Sequence, residues 1–494
     1  MTALRKHAAL MLALLAVTVF YIQFNVRSTG TCSTSLPVHP ADVDSIIRSM
    51  SIQRALAQPY WLVDPWVRPL GVIPYLPVTV LALDVQKGFR ASKALSCAYS
   101  ILACFFIAMA AGAMNIRYPW IALLALATQP IICETSAGVT PETIFVMVFA
   151  LALWCHAKGW VRAEAVCYGL LPLARLENIV LLAPAAAYLV WKARRPCLLP
   201  ILAAPTILWY LIGAWALKDL FWLMSFARIW VARYTGYLDH QMQWTTGGWD
   251  PFHYVYLAPF IFGAPVLLLA FPRILRKWDL LTVYFLVLFG VHACLKGHPG
   301  HVGCPRYIAP LAPLLALFAA QGIECLEWGL HRLHAGLIRY GAVAVLALNC
   351  AVWCRPLYLE HPETEVRLQA AQYLLENAPN APYLTAQAWL DFHMNRNWCD
   401  HPRLSQNVLD GASLGTYVLW DQCASHTSFG ISYEAINSDP CFQKVIEFPL
   451  PGWDFGPRTR GYRITIFKKV PPSPVKMVEK IGDMLWGIVG NQRR

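Results

Sequence analysis

Apolar residues in this chain come in runs too long for a soluble fold. After the charged opening Met1-Thr-Ala-Leu-Arg5-Lys6-His7, residues 8 to 24 are almost continuously apolar. Further runs follow at about 94 to 113, 118 to 133, 141 to 156, 164 to 177, 178 to 191, 197 to 216, 255 to 271, 279 to 295, 306 to 329 and 338 to 354. A membrane-crossing helix needs about 20 such residues, so the pattern predicts a polytopic, mostly α-helical bundle of about eleven spans over residues 1 to 355. The opening run has its charges first and no small-x-small motif near its end, which predicts an anchor rather than a removed signal. Leu70 to Leu83 is also apolar, but it is short and holds Pro74 and Pro77, so it reads as a re-entrant or interfacial segment.

Positive charge decides the orientation. With about eleven spans, Lys158/Arg162, Lys192/Arg194/Arg195, Arg273/Arg276/Lys277 and Arg332/Arg339 fall on the same side as Arg5 and Lys6, and the positive-inside rule makes that side the cytoplasm. Counting 70 to 83 as a span would put all four clusters outside. The cost of the chosen topology is that Lys87, Arg90 and Lys93 face outward. The first loop (26 to 93), a middle loop (217 to 254) and everything beyond about residue 355 then lie outside the cytoplasm.

Past that point the pattern changes. A helix is predicted over Thr364 to Glu376, with strand-like stretches at Pro382-Tyr-Leu-Thr-Ala386, Gly415 to Trp420 and Tyr462 to Phe467. Residues 356 to 470 are therefore expected to form a small extracytoplasmic α/β domain. After Pro471-Pro-Ser-Pro474, apolar positions at helical spacing among Lys and Arg predict an amphipathic tail over 471 to 494.

Composition agrees with a membrane protein. The 494 residues are 57% hydrophobic and 14% charged, against roughly 45–50% and about 25% in soluble domains, which excludes an ordinary soluble enzyme. The net charge of +12 suits cytoplasmic loops, and no basic run interleaved with aromatics points to nucleic acid. Most of the fifteen cysteines lie in apolar runs as small hydrophobes, and no CxxC pair suggests zinc or redox chemistry. Cys399, Cys423 and Cys441 fall in the outer domain, where one disulfide with one leftover thiol is expected, its connectivity open.

Ionisable groups at membrane level are costly and call for a function or a partner. They gather in five places, all on the outer side. His39-Pro-Ala-Asp42-Val-Asp44 precedes an apolar helical pattern, as an acidic first turn would. Thr140-Pro141-Glu142 reads as N-cap and first turn of the next helix. Leu173-Ala-Arg175-Leu-Glu177-Asn178 breaks an apolar stretch, as two short helices meeting at a polar tip would; the alternative is an internal ion pair of Arg175 with Glu177 or Glu142. Lys296-Gly-His298-Pro-Gly-His301-Val-Gly-Cys304-Pro-Arg306-Tyr307 sets cations beside glycines, which suits an anion such as phosphate. The middle loop, with Arg228, Arg233, Tyr234, Trp244, Trp249 and His253, offers aromatic faces that suit sugars or an interfacial belt. A transporter would carry polar groups at mid-membrane in two related halves, and no such repeat is visible.

This order of parts resembles the GT-C superfamily of lipid-linked glycosyltransferases, which includes protein O-mannosyltransferases, aminoarabinose transferases and mannosyltransferases of lipid-anchor synthesis. The resemblance covers about residues 1 to 355. It rests on the acidic Asp42/Asp44 motif in the first outer loop, Thr140-Pro-Glu142 as the second acidic position, Arg175-Leu-Glu177 as an Arg-x-Glu tip, and Arg306-Tyr-Ile-Ala-Pro310 opening a long helix. It implies a polyprenyl-phosphate sugar donor, a lipid, glycan or protein acceptor, and transfer of a hexose, with mannose a candidate, at the outer face of a bacterial inner membrane in building the cell envelope. Asp42 or Asp44 would be the general base. Arg306, with Lys296 or His301, would clamp the phosphate, while Glu142, Arg175, Glu177, His298 and Tyr307 would shape the site or bind sugar. No cofactor is required, and a divalent metal has no support from the residues. A lipid or polysaccharide transporter is the alternative.

Overall fold

The structure, a computed structural model, describes residues 3–28, 44–82, 84–226, 250–295, 304–329, 335–354, 362–386, 388–400, 402, 404–422, 425, 431–450 and 462–472. The chain divides into two compact units, Met1–Leu83 with Lys87–Glu360, and Asp84–Gln86 with His361–Arg494.

Among its described residues the first unit has helices and no strand, and the apolar runs noted above are helical. Length separates them. Among the described residues six helical segments are long and apolar enough to cross a membrane: His7–Arg27, Val85–Ala113, Pro141–Lys158, Pro196–Leu217, His253–Arg276 and Pro305–Glu327. A seventh is the pair Pro119–Ala127 and Pro130–Ala137, bent by 64°. The other runs give shorter pieces, among them Leu280–Leu295 and Gly336–Val352, so about eleven apolar runs become six or seven full-length spans plus short helices. The chain is an integral membrane protein, and the described residues 70 to 82 form the short helices Pro69–Val72 and Leu76–Leu81.

The bent pair shows why a break is tolerated at this depth. Pro130 cannot donate an amide, and carbonyls near the break lose helical partners. Side chains replace them. Tyr21 donates to the Ala127 carbonyl at 3.0 Å, Asn349 to that of Thr128 at 3.2 Å, and Gln129 to those of Ala125 and Ala312 at 3.1 and 3.0 Å. Elsewhere helices touch through glycine. A Cβ at Gly322 would stand 1.7 Å from the Leu269 carbonyl oxygen, so Pro305–Glu327 and His253–Arg276 meet backbone to backbone.

The second unit has a helix, Pro362–Asn377, and a four-stranded sheet of β1 (Tyr383–Thr385), β2 (Tyr417–Asp421), β3 (Phe442–Pro449) and β4 (Arg463–Lys469) in the order β1-β2-β4-β3. β1 runs parallel to β2 and the other pairs are antiparallel. The unexpected strand is β3. A register shift between Lys444 and Ile446 marks a bulge, which breaks the two-residue alternation by which strands are read. Cys441 is a thiol; Cys423 and the tail from 473 to 494 lie outside the described residues.

Near β1 lie two titratable groups whose effects oppose, Asp391 buried and His393 half-buried. Burial lifts the Asp391 carboxyl to about 7 and pushes the His393 imidazole down to about 4. Between about pH 4 and 7 the folded state holds the Asp391 proton that the unfolded chain has lost, so this group's contribution falls as pH rises. Between about 4 and 6.5 the unfolded chain holds a proton that folded His393 lacks, so its contribution rises with pH and is lost on acidification. Relative to wild type, Asp391→Asn should therefore make the unit gain stability from pH 4.5 to 6.5, and His393→Asn should make it lose stability. Each difference is on the order of 1 kcal/mol per pH unit at most. Hydrogen exchange at β2 amides in the full-length protein measures it, and wild-type profiles in both variants would contradict the assignment.

Candidate active site

Asp44 opens the helix Asp44–Arg54 in the first loop. Its carboxylate is paired with Arg306, which stands on the 3-10 turn Pro305–Leu311 at the start of a long span, and Arg48 one helical turn on lies at 4.0 Å. Burial alone would raise the Asp44 carboxyl, but Arg306 and Arg48 overcome it and hold the group below its ordinary range. Arg48 is itself stacked on Trp66 at 4.7 Å.

A second chain of charges sits beside the first. Glu142, in the first turn of Pro141–Lys158, is completely buried and paired with Arg175. Arg175 holds Glu177 at 2.6 Å, and Glu177 lies 3.6 Å from Arg68. The local sequence explains the geometry. Val161–Ala174 carries Pro172 in its last turn and ends at Arg175, which is extended (φ −151°, ψ 119°) before the 3-10 turn Leu176–Leu181. Two short helical pieces thus meet at a polar tip. Both ion pairs considered from sequence form, since one guanidinium presents enough donors to serve two carboxylates.

Tyr307 joins the two chains. Its ring lies under the Arg175 guanidinium at 4.2 Å, next in sequence to Arg306. Among the described residues of this cluster four guanidinium groups (Arg48, Arg68, Arg175, Arg306) face three carboxylates (Asp44, Glu142, Glu177), one more cation than anion where exposure is low. Such a site favours a phosphate or carboxylate ligand. Among the described residues no three His, Cys, Asp or Glu side chains converge as metal ligands.

Arg48 and Arg68 did not stand out in the sequence. Arg48 had a signal, since it lies four residues after Asp44 on a predicted helix face. Arg68 had none: it acts from a backbone with φ 70°, which few non-glycine residues adopt, and donates to the Ala174 carbonyl at 3.2 Å. Asp64 supports this loop, accepting from the amides of Trp66 and Val67 at 2.8 Å each. Thr140 occupies the N-cap position of Pro141–Lys158 but its hydroxyl meets that of Thr143 at 3.3 Å rather than an amide. Gly138 sets the spacing here: a Cβ on it would lie 2.8 Å from the Ser45 hydroxyl oxygen. Asp42, Lys296, His298, His301 and the middle-loop residues 227 to 249 lie outside the described residues. Four of the five polar places thus contribute described residues to one cluster.

No protein-family model and no curated protein matches the sequence. Solved structures do. ArnT from Cupriavidus metallidurans in its apo state aligns with a TM-score of 0.59 at 12% identity, over 94% of this chain and 99% of that one. The chain has the GT-C fold. The same ArnT bound to undecaprenyl phosphate aligns with a TM-score of 0.58, again at 12% identity and over 94% and 99% of the two chains. The oligosaccharyltransferase of Archaeoglobus fulgidus tethered to an acceptor peptide, also of GT-C type, aligns at 0.47 with 11% identity, over 84% of this chain and 70% of that one. Within this GT-C fold the acidic first loop, the buried Glu142, the Arg175 tip and the Arg306 helix start are one constellation.

Proposed function

We propose that the protein is a membrane glycosyltransferase that moves a sugar, a hexose with mannose a candidate, from a polyprenyl phosphate to a lipid, glycan or protein acceptor at the extracytoplasmic face of a bacterial plasma membrane. The observation that carries this reading is the Asp44–Arg306 pair within the half-buried arginine-rich cluster. Its placement in a fold shared with an ArnT bound to undecaprenyl phosphate supports the lipid-phosphate donor.

The chemistry follows from the pair. Asp44 accepts the proton of the acceptor hydroxyl as that oxygen attacks the anomeric carbon, the bond to the phosphate oxygen breaks, and polyprenyl phosphate leaves with inversion at the sugar. Arg306, aided by Lys296 or His301, neutralises the departing phosphate. A phosphate arriving at Arg306 draws the guanidinium from Asp44, and a carboxylate that loses a cationic partner becomes a stronger base. Donor binding would thereby prime the base. Asp42 is the alternative base, and Glu142, Arg175, Glu177, His298 and Tyr307 shape the sugar site.

The test is transfer from a panel of radiolabelled polyprenyl-phosphate sugars to membrane acceptors by the purified chain in nanodiscs. Label should move from one donor and not from the matching nucleotide sugar; transfer from none would remove the reading. Sidedness is checked apart from activity. A reporter active only in an oxidising compartment and fused after Val470 should be active, whereas activity of a cytoplasmic reporter there would invert the topology.

A further inference from the structure

The second unit carries a cleft that the transfer chemistry does not use. It lies by the start of β1 and β2, has a volume of about 380 Å³, and its walls include Tyr383, Leu384, Arg396, Val408, Ser413 and Thr416. That volume is at the low end for small-molecule sites, roughly 300–1,000 Å³, so it admits a ligand of about one ring rather than a folded partner.

One wall is charged. Arg396 is the single ionised side chain among the lining residues, and no carboxylate among the described residues lies within salt-bridge distance of it. The guanidinium is nonetheless held: Nη2 donates to the Pro379 carbonyl at 2.8 Å, and its central carbon lies 5.3 Å from the centre of the Tyr383 ring. The ring is fixed in turn, because its hydroxyl donates to Asp391 at 2.5 Å. Asp391, which accepts from the Tyr383 hydroxyl, feels the Arg396 charge without forming an ion pair to it among the described residues, so the held arginine keeps donors for an anion, with little rotamer entropy left to lose. The lining also includes the hydroxyls of Ser413 and Thr416, 3.1 Å apart, and the aliphatic side chains of Leu384 and Val408. Hydroxyl partners, aliphatic surface and one held cation in a single small cleft match a sugar ring that has hydroxyls at its rim, C–H bonds on its face and one acidic substituent.

We infer that this cleft is a binding site for a single anionic sugar unit, bearing a carboxylate or a phosphate, separate from the membrane cluster. It would hold a charged glycan by one residue. The inference does not depend on the proposed transfer reaction.

The experiment is saturation-transfer NMR on the full chain in nanodiscs, with glucuronic acid, glucose 1-phosphate, glucose and inorganic phosphate as probes. Either or both anionic sugars should bind, and which one does separates a carboxylate from a phosphate ligand. Glucose and inorganic phosphate should each bind at least about tenfold more weakly. Arg396→Gln should weaken binding of the anionic sugars about tenfold or more. Ser413→Trp, at an exposed position, should abolish it by filling the cleft, with β2 amide hydrogen exchange as in wild type checking that the unit stays folded. Failure of both anionic sugars to bind, equal binding of glucose, equal binding of inorganic phosphate, or binding that survives Ser413→Trp would each overturn the inference. So would an acidic peptide that displaces the sugars at lower concentration, which would make the cleft a peptide site.

Discussion

Asp44→Asn should lower the turnover of sugar transfer by about 10²–10⁴-fold while leaving donor affinity within a few-fold of wild type. The substitution keeps the shape and the hydrogen-bond acceptor toward Arg306 but removes the charge and the proton-accepting capacity. A base acts in the transition state, so its loss appears in kcat rather than in donor binding. Arg306→Lys is the complementary variant. It retains a positive charge but not the planar fork, so donor affinity should weaken with smaller effects on acceptor affinity. Steady-state kinetics with donor and acceptor varied in turn separate the two. Wild-type turnover in Asp44→Asn would leave Asp44 as a helix start and shift attention to Asp42.

The second large effect is on stability. Arg175→Met should destabilise the membrane unit by about 3–5 kcal/mol, because it leaves Glu142, which is fully buried, without its cation. Pairing Arg175→Met with Glu142→Leu should recover much of that loss, since a well-packed apolar pair often replaces a buried ion pair at little cost. Denaturant unfolding in mixed micelles measures both. The readout that separates architecture from chemistry is transfer by the double variant. Restored stability with activity still absent assigns Arg175 and Glu142 to sugar binding, and restored activity would reduce the pair to a helix clamp.

Much of the fold could be read from sequence because hydrocarbon imposes long apolar runs and short polar turns. All the runs became helices, and three of the four strands lay where alternation placed them. Length was less legible. Pro130, Pro172 and the Arg175 tip break helices without interrupting hydropathy much, so runs that count as spans on paper fold as short or bent pieces. β3 escaped because its bulge puts neighbouring apolar residues out of phase. At the site, Asp44, Glu142, Arg175 and Arg306 were visible because charge at membrane level is rare. Arg48 and Arg68 were hidden in a loop where arginine is ordinary, and only the folded backbone brings them to the carboxylates.

The glycine at 138 bears on how finely the site is built. Its backbone is extended (φ −112°, ψ 171°), so the constraint there is one of room rather than of torsion. Any side chain would press on Ser45, whose neighbour is the candidate base, from a turn four residues ahead of Glu142. The two acidic positions are therefore spaced by main chain, which cannot swing between rotamers as a long side chain can. Chemistry that spans them works against a fixed ruler, and a single methyl group at residue 138 would recalibrate it without touching a charged group.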